Sequence, residues 1–287
     1  MRKISIVSNA YSAAEDYRIG YPKLYEHGYR GIDYQNLVNT ENFLFQKSDQ
    51  EFEQYLTEER EFAESCGLTI CQTHGPWRWP PRDNTAEDRA ERFEKMAKAL
   101  HGTKLLGCKY MVIHPIMPRG AEDNDDPDRL FHENYAFFSR LVEIAKAEDV
   151  VICFENMPMR RLSLATPEKI LEFAKAIDSP CFRVCLDTGH CAVTHQSPAD
   201  AMRLLGPEWI KVLHIHDNDG WGDFHMLPYT GIIDWADFAQ SLDDVGYDGY
   251  VSLETVIHRE KMPPRLAEQW QKDLFAAANA LAGNPLF

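Results

Sequence analysis

Six short apolar runs end in a side chain that can bind a metal ion or transfer a proton. These side chains are His74, His114, Glu155, Asp187, His214 and Glu254, and two further histidines, His190 and His216, follow closely. A carboxylate or imidazole at the end of a buried strand is costly unless it is paired or bound to metal. One such histidine alone would more often be a hydrogen-bonded residue than a ligand. Because six runs end this way, the sequence predicts one shared metal site.

The elements that must bring these side chains together alternate regularly. Apolar, strand-like runs cover 4–10, 31–34, 68–74, 110–115, 150–156, 183–190, 210–217 and 250–255. Helical patterns cover 48–66, 84–107, 132–148, 166–178, 198–205, 234–245 and 263–282, and an acidic surface loop is predicted at 119–128. Continuous apolar runs are typical of parallel strands that are covered on both faces.

This alternation predicts an α/β protein, a (β/α)₈ TIM barrel that forms a single domain over residues 1–287. In such a barrel the carboxyl ends of all strands meet at one mouth, where active sites lie. A doubly wound open sheet is the alternative. That fold usually carries a glycine-rich turn after its first strand, and the segment SNAYSAAED contains none.

Charge and cysteine content narrow the class of protein. The chain has 30 Lys and Arg against 45 Asp and Glu, a formal net charge of −15. We therefore expect no nucleic-acid and no membrane partner, because phosphate surfaces attract basic proteins. Seven cysteines without a C-x-x-C pair indicate free thiols in a reducing compartment. No secretory signal pattern or apolar run of about 18 residues is present, which predicts a cytoplasmic location.

The ordered motifs THGP, FEN, LDTGH, HIHDND and SLET resemble the xylose-isomerase-like (AP-endonuclease-2-type) TIM-barrel superfamily, and more closely its sugar phosphate isomerase/epimerase members. The resemblance implies one divalent ion on four ligands from strands 5 to 8, here Glu155, Asp187, His214 and Glu254. It also implies that Glu155 and Glu254 act as catalytic acid–base groups. His214 is preferred over His216 as the ligand because an aspartate follows it three residues later.

The same resemblance implies further contacts at the mouth. Substrate-binding residues are expected to be His74, His114, His190, His216, Trp77 and Trp221. The endonuclease branch holds three zinc ions with five further ligands, for which this sequence offers His74, His114, His190, Asp223 and His225. Asp223 and His225 are therefore possible extra metal ligands. One departure is at strand 2, where many relatives place a glutamate and this chain has Asp33 and Tyr34.

Other residues near the mouth are weaker candidates. Loop arginines that could dock a phosphate or carboxylate are Arg78, Arg82, Arg119, Arg160 and Arg161. Trp79 shares the Pro-rich loop of Trp77, and His258 lies four residues beyond Glu254.

The donor set decides which ion and which reaction to expect. Three carboxylates and one imidazole suit Mn²⁺, Mg²⁺ or Co²⁺, and Zn²⁺ is favoured only if the extra imidazoles join. A cation there can polarise a carbonyl and stabilise an enediolate while a carboxylate takes the neighbouring proton. The sequence predicts a metal-dependent sugar or sugar phosphate isomerase or epimerase, with a possible homo-oligomeric state. Alternatives are a dehydratase of the inosose or dehydroshikimate type, an AP endonuclease, or a non-catalytic sugar-binding barrel.

Overall fold

Eight parallel strands form the centre of the protein. The computed structural model describes residues 2–10, 16–122, 126–255 and 262–283. The strands are β1 (Ile4–Val7), β2 (Gly31–Tyr34), β3 (Thr69–His74), β4 (Tyr110–Ile113), β5 (Val151–Glu155), β6 (Phe182–Asp187), β7 (Ile210–His214) and β8 (Val251–Leu253). They follow the order β7-β6-β5-β4-β3-β2-β1-β8 in one sheet. All eight predicted strands are therefore present.

The sheet closes on itself between β7 and β8. Ile215, just beyond β7, forms a parallel bridge with Leu253. Its amide donates to Ser252 O at 2.8 Å, and its carbonyl accepts from the Glu254 amide at 3.1 Å. The predicted TIM barrel is confirmed, and its last step is held by this short bridge.

Helices cover the outside of the barrel. They are α1 (Tyr17–Glu26), α2 (Asp49–Ser65), α3 (Ala86–Leu105), α4 (Pro127–Glu148), α5 (Pro167–Ile177), α6 (Thr188–Val193), α7 (Pro198–Trp209), α8 (Trp235–Asp244) and α9 (Pro264–Leu281). Helix α4 begins five residues earlier than predicted, so the predicted surface loop at 119–128 was too long. Two helices, α1 and α6, were not predicted.

The local sequence explains why helices α1 and α6 could not be predicted from hydrophobic periodicity. Helix α1 contains Gly20 and Pro22, both poor helix formers, and its start depends on the Asp16 side chain, which accepts from Arg18 N. Helix α6 has six residues and directly follows β6. Its N-cap is Asp187, whose Oδ1 accepts from His190 N at 2.6 Å. The predicted metal ligand is thus also the residue that starts a helix.

Alternation along each strand decides which side chains reach the barrel interior. In β5, Phe154 faces outward into a cluster of aromatic rings, with its centroid 4.9 Å from that of Phe173 and 5.4 Å from that of Phe182. Because successive strand residues point to opposite faces, Glu155 must face the interior. The apolar packing outside the sheet therefore fixes the position of a carboxylate inside it.

The same alternation separates the two residues at the end of β2. Asp33 faces the barrel interior, whereas the Tyr34 hydroxyl donates to Glu59 Oε2 of α2 at 2.8 Å. Tyr21 of α1 donates to Glu59 Oε1 at 2.7 Å. Glu59 is completely buried. Burial raises the pKa of Glu59 to about 7, although both tyrosine hydroxyls favour its charged form.

A pH dependence of stability follows from Glu59. Between about pH 4.5 and about pH 7 the unfolded chain loses this proton while the folded protein keeps it, so the free energy of unfolding falls as pH rises. We expect Glu59→Gln to remove this component, which is on the order of 3 kcal/mol. Urea unfolding at about pH 5 and about pH 8 measures it, with the exposed neighbour Glu58→Gln as the control. Parallel pH profiles for the wild type and Glu59→Gln would contradict the prediction.

The helices and the cysteines bear on the predicted class of protein. Across the described ranges, every helix is too short or too polar to cross a bilayer. All seven cysteines are free thiols, as predicted, and Cys108, Cys153, Cys185 and Cys191 are buried.

Candidate active site

A cavity of about 430 Å³ opens at the carboxyl ends of the strands. Eight predicted site residues line it: His74, Trp77, His114, Glu155, His190, Asp223, His225 and Glu254. Trp79 and Met157 also contribute to its wall. The structure therefore gathers residues that are up to 180 positions apart in the sequence, as the barrel prediction required.

The four predicted metal ligands lie at the floor of this cavity. One donor atom from each of Glu155, Asp187, His214 and Glu254 lies within 4.8 Å of the others. His214 Nδ1 is 2.7 Å from Glu155 Oε1 and 3.1 Å from Glu254 Oε2. The first three side chains are buried, whereas the Glu254 side chain is 16% exposed. Glu254 is thus the predicted ligand most open to the cavity.

A bound cation would stabilise the charges of this cluster. Three carboxylates are gathered around one imidazole in a poorly solvated place, which is unfavourable without compensating positive charge. Burial works against the charged form of Glu155, but His214 and His114 outweigh it and hold the pKa of Glu155 well below its ordinary value. Burial also opposes a charged His214, yet the surrounding acidic groups raise its pKa. Oxygen donors with one imidazole fit Mn²⁺, Mg²⁺ or Co²⁺.

Two histidines from β3 and the end of β4 meet the other oxygen of Glu155. His114 Nε2 donates to Glu155 Oε2 at 2.7 Å, and His74 Nε2 lies 3.5 Å from the same oxygen. His74 Nδ1 donates to Gly75 O at 2.9 Å, which directs its Nε2 toward Glu155. Burial lowers the pKa of His114 to about 4, so its imidazole is neutral at pH 7. Trp77 packs edge-on against His114, with centroids 4.4 Å apart.

A second group of donors lies on the opposite side of the cluster. His190, His216, Asp223 and His225 also have donor atoms within 4.8 Å of one another. Asp223 Oδ2 accepts from His190 Nε2 and from His225 Nε2, both at 3.2 Å. Burial opposes a charged His225, but the hydrogen bond to Asp223 raises its pKa to about 9. These donors could hold a second ion, so Asp223 and His225 lie where the sequence placed extra ligands.

Two predicted substrate contacts lie away from the cavity wall. His216 is completely buried; its Nε2 is 3.0 Å from Asp187 Oδ2, and its ring stacks on His225 at 4.0 Å. Trp221 is 75% exposed and lies under the Arg160 guanidinium, 5.1 Å from the ring centroid. The structure therefore offers no support for substrate contacts from either residue. His216 instead orients a predicted metal ligand.

Most of the predicted docking arginines are engaged elsewhere. Their contacts are Arg78 with Glu91 at 2.9 Å, Arg119 with Glu133 at 3.0 Å, Arg160 with Val193 O at 2.6 Å, and Arg161 with Glu122 at 2.9 Å. Arg82 is exposed. His258 lies outside the described residues.

From the sequence, no role is predicted for the residues that hold the predicted ligands in place: Asp33 marks only a departure at strand 2, and Asn156 and Gln72 are not singled out. Asn156 joins the ends of β5 and β6, since its Nδ2 donates to Asp187 O at 2.9 Å and its Oδ1 accepts from Asp187 N at 2.8 Å. Asp33 and Gln72 lie beneath His214 inside the barrel. The signal in the sequence was position alone: Asp33 and Gln72 lie one and two residues before a strand end, and Asn156 lies one residue after one.

Comparison with known proteins identifies the family. The family model described as xylose isomerase-like TIM barrel matches residues 22–276. The chain belongs to this family. A solved D-tagatose 3-epimerase-like protein superposes with a TM-score of 0.74 at 26% identity, covering 97% of this chain and 98% of that one. The resemblance read from the motifs is thereby confirmed.

Curated relatives match over part of their length. An uncharacterized protein of Methanocaldococcus jannaschii is 34% identical over 164 residues, 56% of this chain and 55% of the relative. The D-psicose 3-epimerase of Enterocloster bolteae is 25% identical over 210 residues, 70% of this chain and 66% of the enzyme. The chain therefore spans less than two thirds of these curated relatives in the alignments.

Proposed function

We propose that this protein is a divalent-metal-dependent isomerase or epimerase that acts on a sugar or sugar phosphate. One observation carries the proposal: Glu155 and Glu254 both line the cavity, and a carboxylate oxygen of each lies close to His214 Nδ1 at the predicted cation site. The names of the similar proteins support it, since they include a D-tagatose 3-epimerase-like protein and a D-psicose 3-epimerase.

The two glutamates have the placement that proton transfer at carbon needs. A divalent ion held by Glu155, Asp187, His214 and Glu254 would polarise a substrate carbonyl and its neighbouring hydroxyl. Glu155 enters from β5 and Glu254 from the end of β8, so the two carboxylates approach the cavity from different sides of the barrel. One can remove a proton beside the carbonyl and the other can supply one. Return to the same carbon on its other face gives epimerisation, and return to the adjacent carbon gives isomerisation.

The remaining wall of the cavity is suited to a polyol. His74, His114 and His190 present imidazole nitrogens that can hydrogen-bond to hydroxyl groups. The rings of Trp77 and Trp79 lie 6.2 Å apart by centroid and offer flat surfaces for the C–H faces of a sugar. We propose that the three histidines and Trp77 bind the substrate, and that water is excluded when the sugar fills the cavity.

Turnover in D₂O tests the chemistry. The Mn²⁺-loaded protein is incubated with a panel of ketoses and aldoses, phosphorylated and free, and the products are examined by NMR. We expect deuterium at the carbon beside the carbonyl, because the proton is exchanged with solvent while it is held by a carboxylate. Product that forms without deuterium would contradict proton transfer through solvent-exchanging glutamates. A product that has lost one water would identify the dehydratase alternative instead.

A second candidate function rests on the donors around the central cluster. The five residues that the endonuclease branch would use, His74, His114, His190, Asp223 and His225, all line the same cavity. This favours a phosphodiesterase with several metal ions, although the net charge of −15 opposes DNA binding. Nicking of an abasic duplex at low salt would support it, and intact duplex after prolonged incubation would remove it.

The number of bound ions can be predicted from Asp223. Because this carboxylate is the common partner of His190 and His225, we expect Asp223→Asn to lose the ion of that group and to keep the central ion. Metal analysis after dialysis against Zn²⁺ measures the change. Asp219→Asn, an exposed aspartate in the same loop, serves as the matched control. Equal metal content in Asp223→Asn and the control would show that the group holds no ion.

A further inference from the structure

We propose that Asp33 is a positioning residue for His214, holding its imidazole in the tautomer that presents Nδ1 to the cation site. The inference rests on the metal-dependent function proposed above. Asp33 is remote from the substrate, since it lies below His214 and is not part of the cavity wall. Its role would be exerted through the ligand alone.

The geometry places Asp33 on the side of His214 that faces away from the cation site. Asp33 Oδ2 lies 3.0 Å from His214 Nε2, while His214 Nδ1 faces Glu155 and Glu254. Both Asp33 and His214 are completely buried. Among the described residues, His214 Nε2 has no other hydrogen-bond partner. Its contact with Asp33 Oδ2 is therefore an electrostatic attraction between the imidazole and the carboxylate. A neutral imidazole has one N–H and one lone pair. With a cation held by Glu155 and Glu254, the Nδ1 lone pair would face that cation, and the carboxylate beside Nε2 would stabilise the single proton on Nε2.

His214 differs in this respect from three other histidines at the mouth. His74, His190 and His225 each donate Nδ1–H to a backbone carbonyl, those of Gly75, Asn156 and Glu254. The Nδ1 side of each ring is therefore held by a neutral peptide group, while Asp223 accepts from His190 Nε2 and His225 Nε2 on the other side. In His214 the nitrogen that faces away from the cation site is Nε2, and it meets the carboxylate of Asp33. Carboxylate partners of metal-binding histidines fix ring orientation and raise the basicity of the ligand.

Gln72 holds Asp33 in place from the neighbouring strand. Its Nε2 donates to Asp33 Oδ2 at 3.0 Å and to Leu213 O at 3.2 Å. One amide therefore ties Asp33 of β2 to the backbone immediately before His214 in β7. Gln72 is itself 1% exposed, so this bridge crosses the barrel interior away from solvent. Gln72, Asp33 and His214 thus form a connected group beneath the cation site, in which Asp33 carries the negative charge.

Metal affinity is the property that this unit should control. Loss of such an outer partner typically weakens metal binding by about 10- to 100-fold. We expect Asp33→Leu, which removes the acceptor, to raise the Kd for Mn²⁺ by about 100-fold. Asp33→Asn keeps an oxygen acceptor without the charge and should raise it by about tenfold. Isothermal titration of the metal-free full chain with Mn²⁺ measures both, and Asp33→Asn carries the test if Asp33→Leu does not fold.

A second readout reports the tautomer directly. In the Zn²⁺-loaded protein, His214 should show a protected Nε2–H resonance by NMR, which should be lost in Asp33→Leu and exchange faster with solvent in Asp33→Asn. Ser5→Ala is the matched control because Ser5 is completely buried in the adjacent strand β1 and makes no contact with His214 that would set its tautomer. The control should keep wild-type affinity and the His214 resonance.

The outcomes separate this inference from the proposed function. Mn²⁺ affinities within about twofold of wild type in both Asp33 variants, with the His214 resonance intact, would overturn the positioning role and leave the proposed function standing. A wild-type protein that binds no Mn²⁺ or Zn²⁺ would overturn both. Equal losses in the Asp33 variants and in Ser5→Ala would show a general effect on the barrel interior and would also overturn the proposal.

Discussion

Glu254→Gln is expected to lower kcat/KM by about 10²- to 10⁴-fold, the usual contribution of a carboxylate that transfers a proton in the transition state. The amide can neither take nor supply the proton, yet it retains an oxygen for the cation. Glu155→Gln should have at least as large an effect, because Glu155 also accepts from His114 and lies 2.7 Å from His214 Nδ1. Steady-state kinetics on the sugar identified with wild-type protein, together with Mn²⁺ content, measures the loss.

The control for these variants is an exposed glutamate on the outer surface. Glu208→Gln lies on α7 and should keep full activity. If both Glu155→Gln and Glu254→Gln turn over substrate at the wild-type rate, the assignment of acid–base roles is wrong. If only metal content falls while the rate per bound ion is unchanged, the two glutamates are ligands and not proton-transfer groups.

Removal of the divalent ion should abolish turnover and lower thermal stability together. The central cluster holds Glu155, Asp187 and Glu254 close to one another with little solvent, so a bound cation relieves their repulsion in the folded state. An ion at 100 times its Kd stabilises the folded protein by about 2.7 kcal/mol. Activity and melting temperature after chelation and after return of Mn²⁺ measure both effects.

Asp187→Asn is the informative variant for this prediction. It removes one ligand charge, and the melting temperature of the variant should respond weakly to Mn²⁺. The exposed Asp219→Asn should respond as the wild type does. Full activity in chelated wild-type protein, with no ion detected by metal analysis, would contradict a metal-dependent reaction.

The sequence alone predicted the strands of the barrel and the residues that converge at their carboxyl ends. Eight apolar runs of the right spacing predicted the barrel, because parallel strands buried on both faces leave a local hydrophobic signal. The barrel then required that Glu155, Asp187, His214 and Glu254 converge, and the structure brings their donor atoms within 4.8 Å. Helix α1 was missed because Gly20 and Pro22 weaken its local pattern, and packing of Tyr17 and Tyr21 against the core offsets that weakness.

Residue types and their order thus determined the fold, the family and the place of the candidate site. Tertiary structure alone decided what each side chain at the mouth contacts: Trp221 lies under Arg160, His216 orients Asp187, and Asp33 meets His214. The physical reason is that strand positions follow from local burial, whereas a contact between two side chains depends on where separate strands end relative to one another. A difference of one residue in that register turns a side chain from the cavity to the opposite face of the sheet.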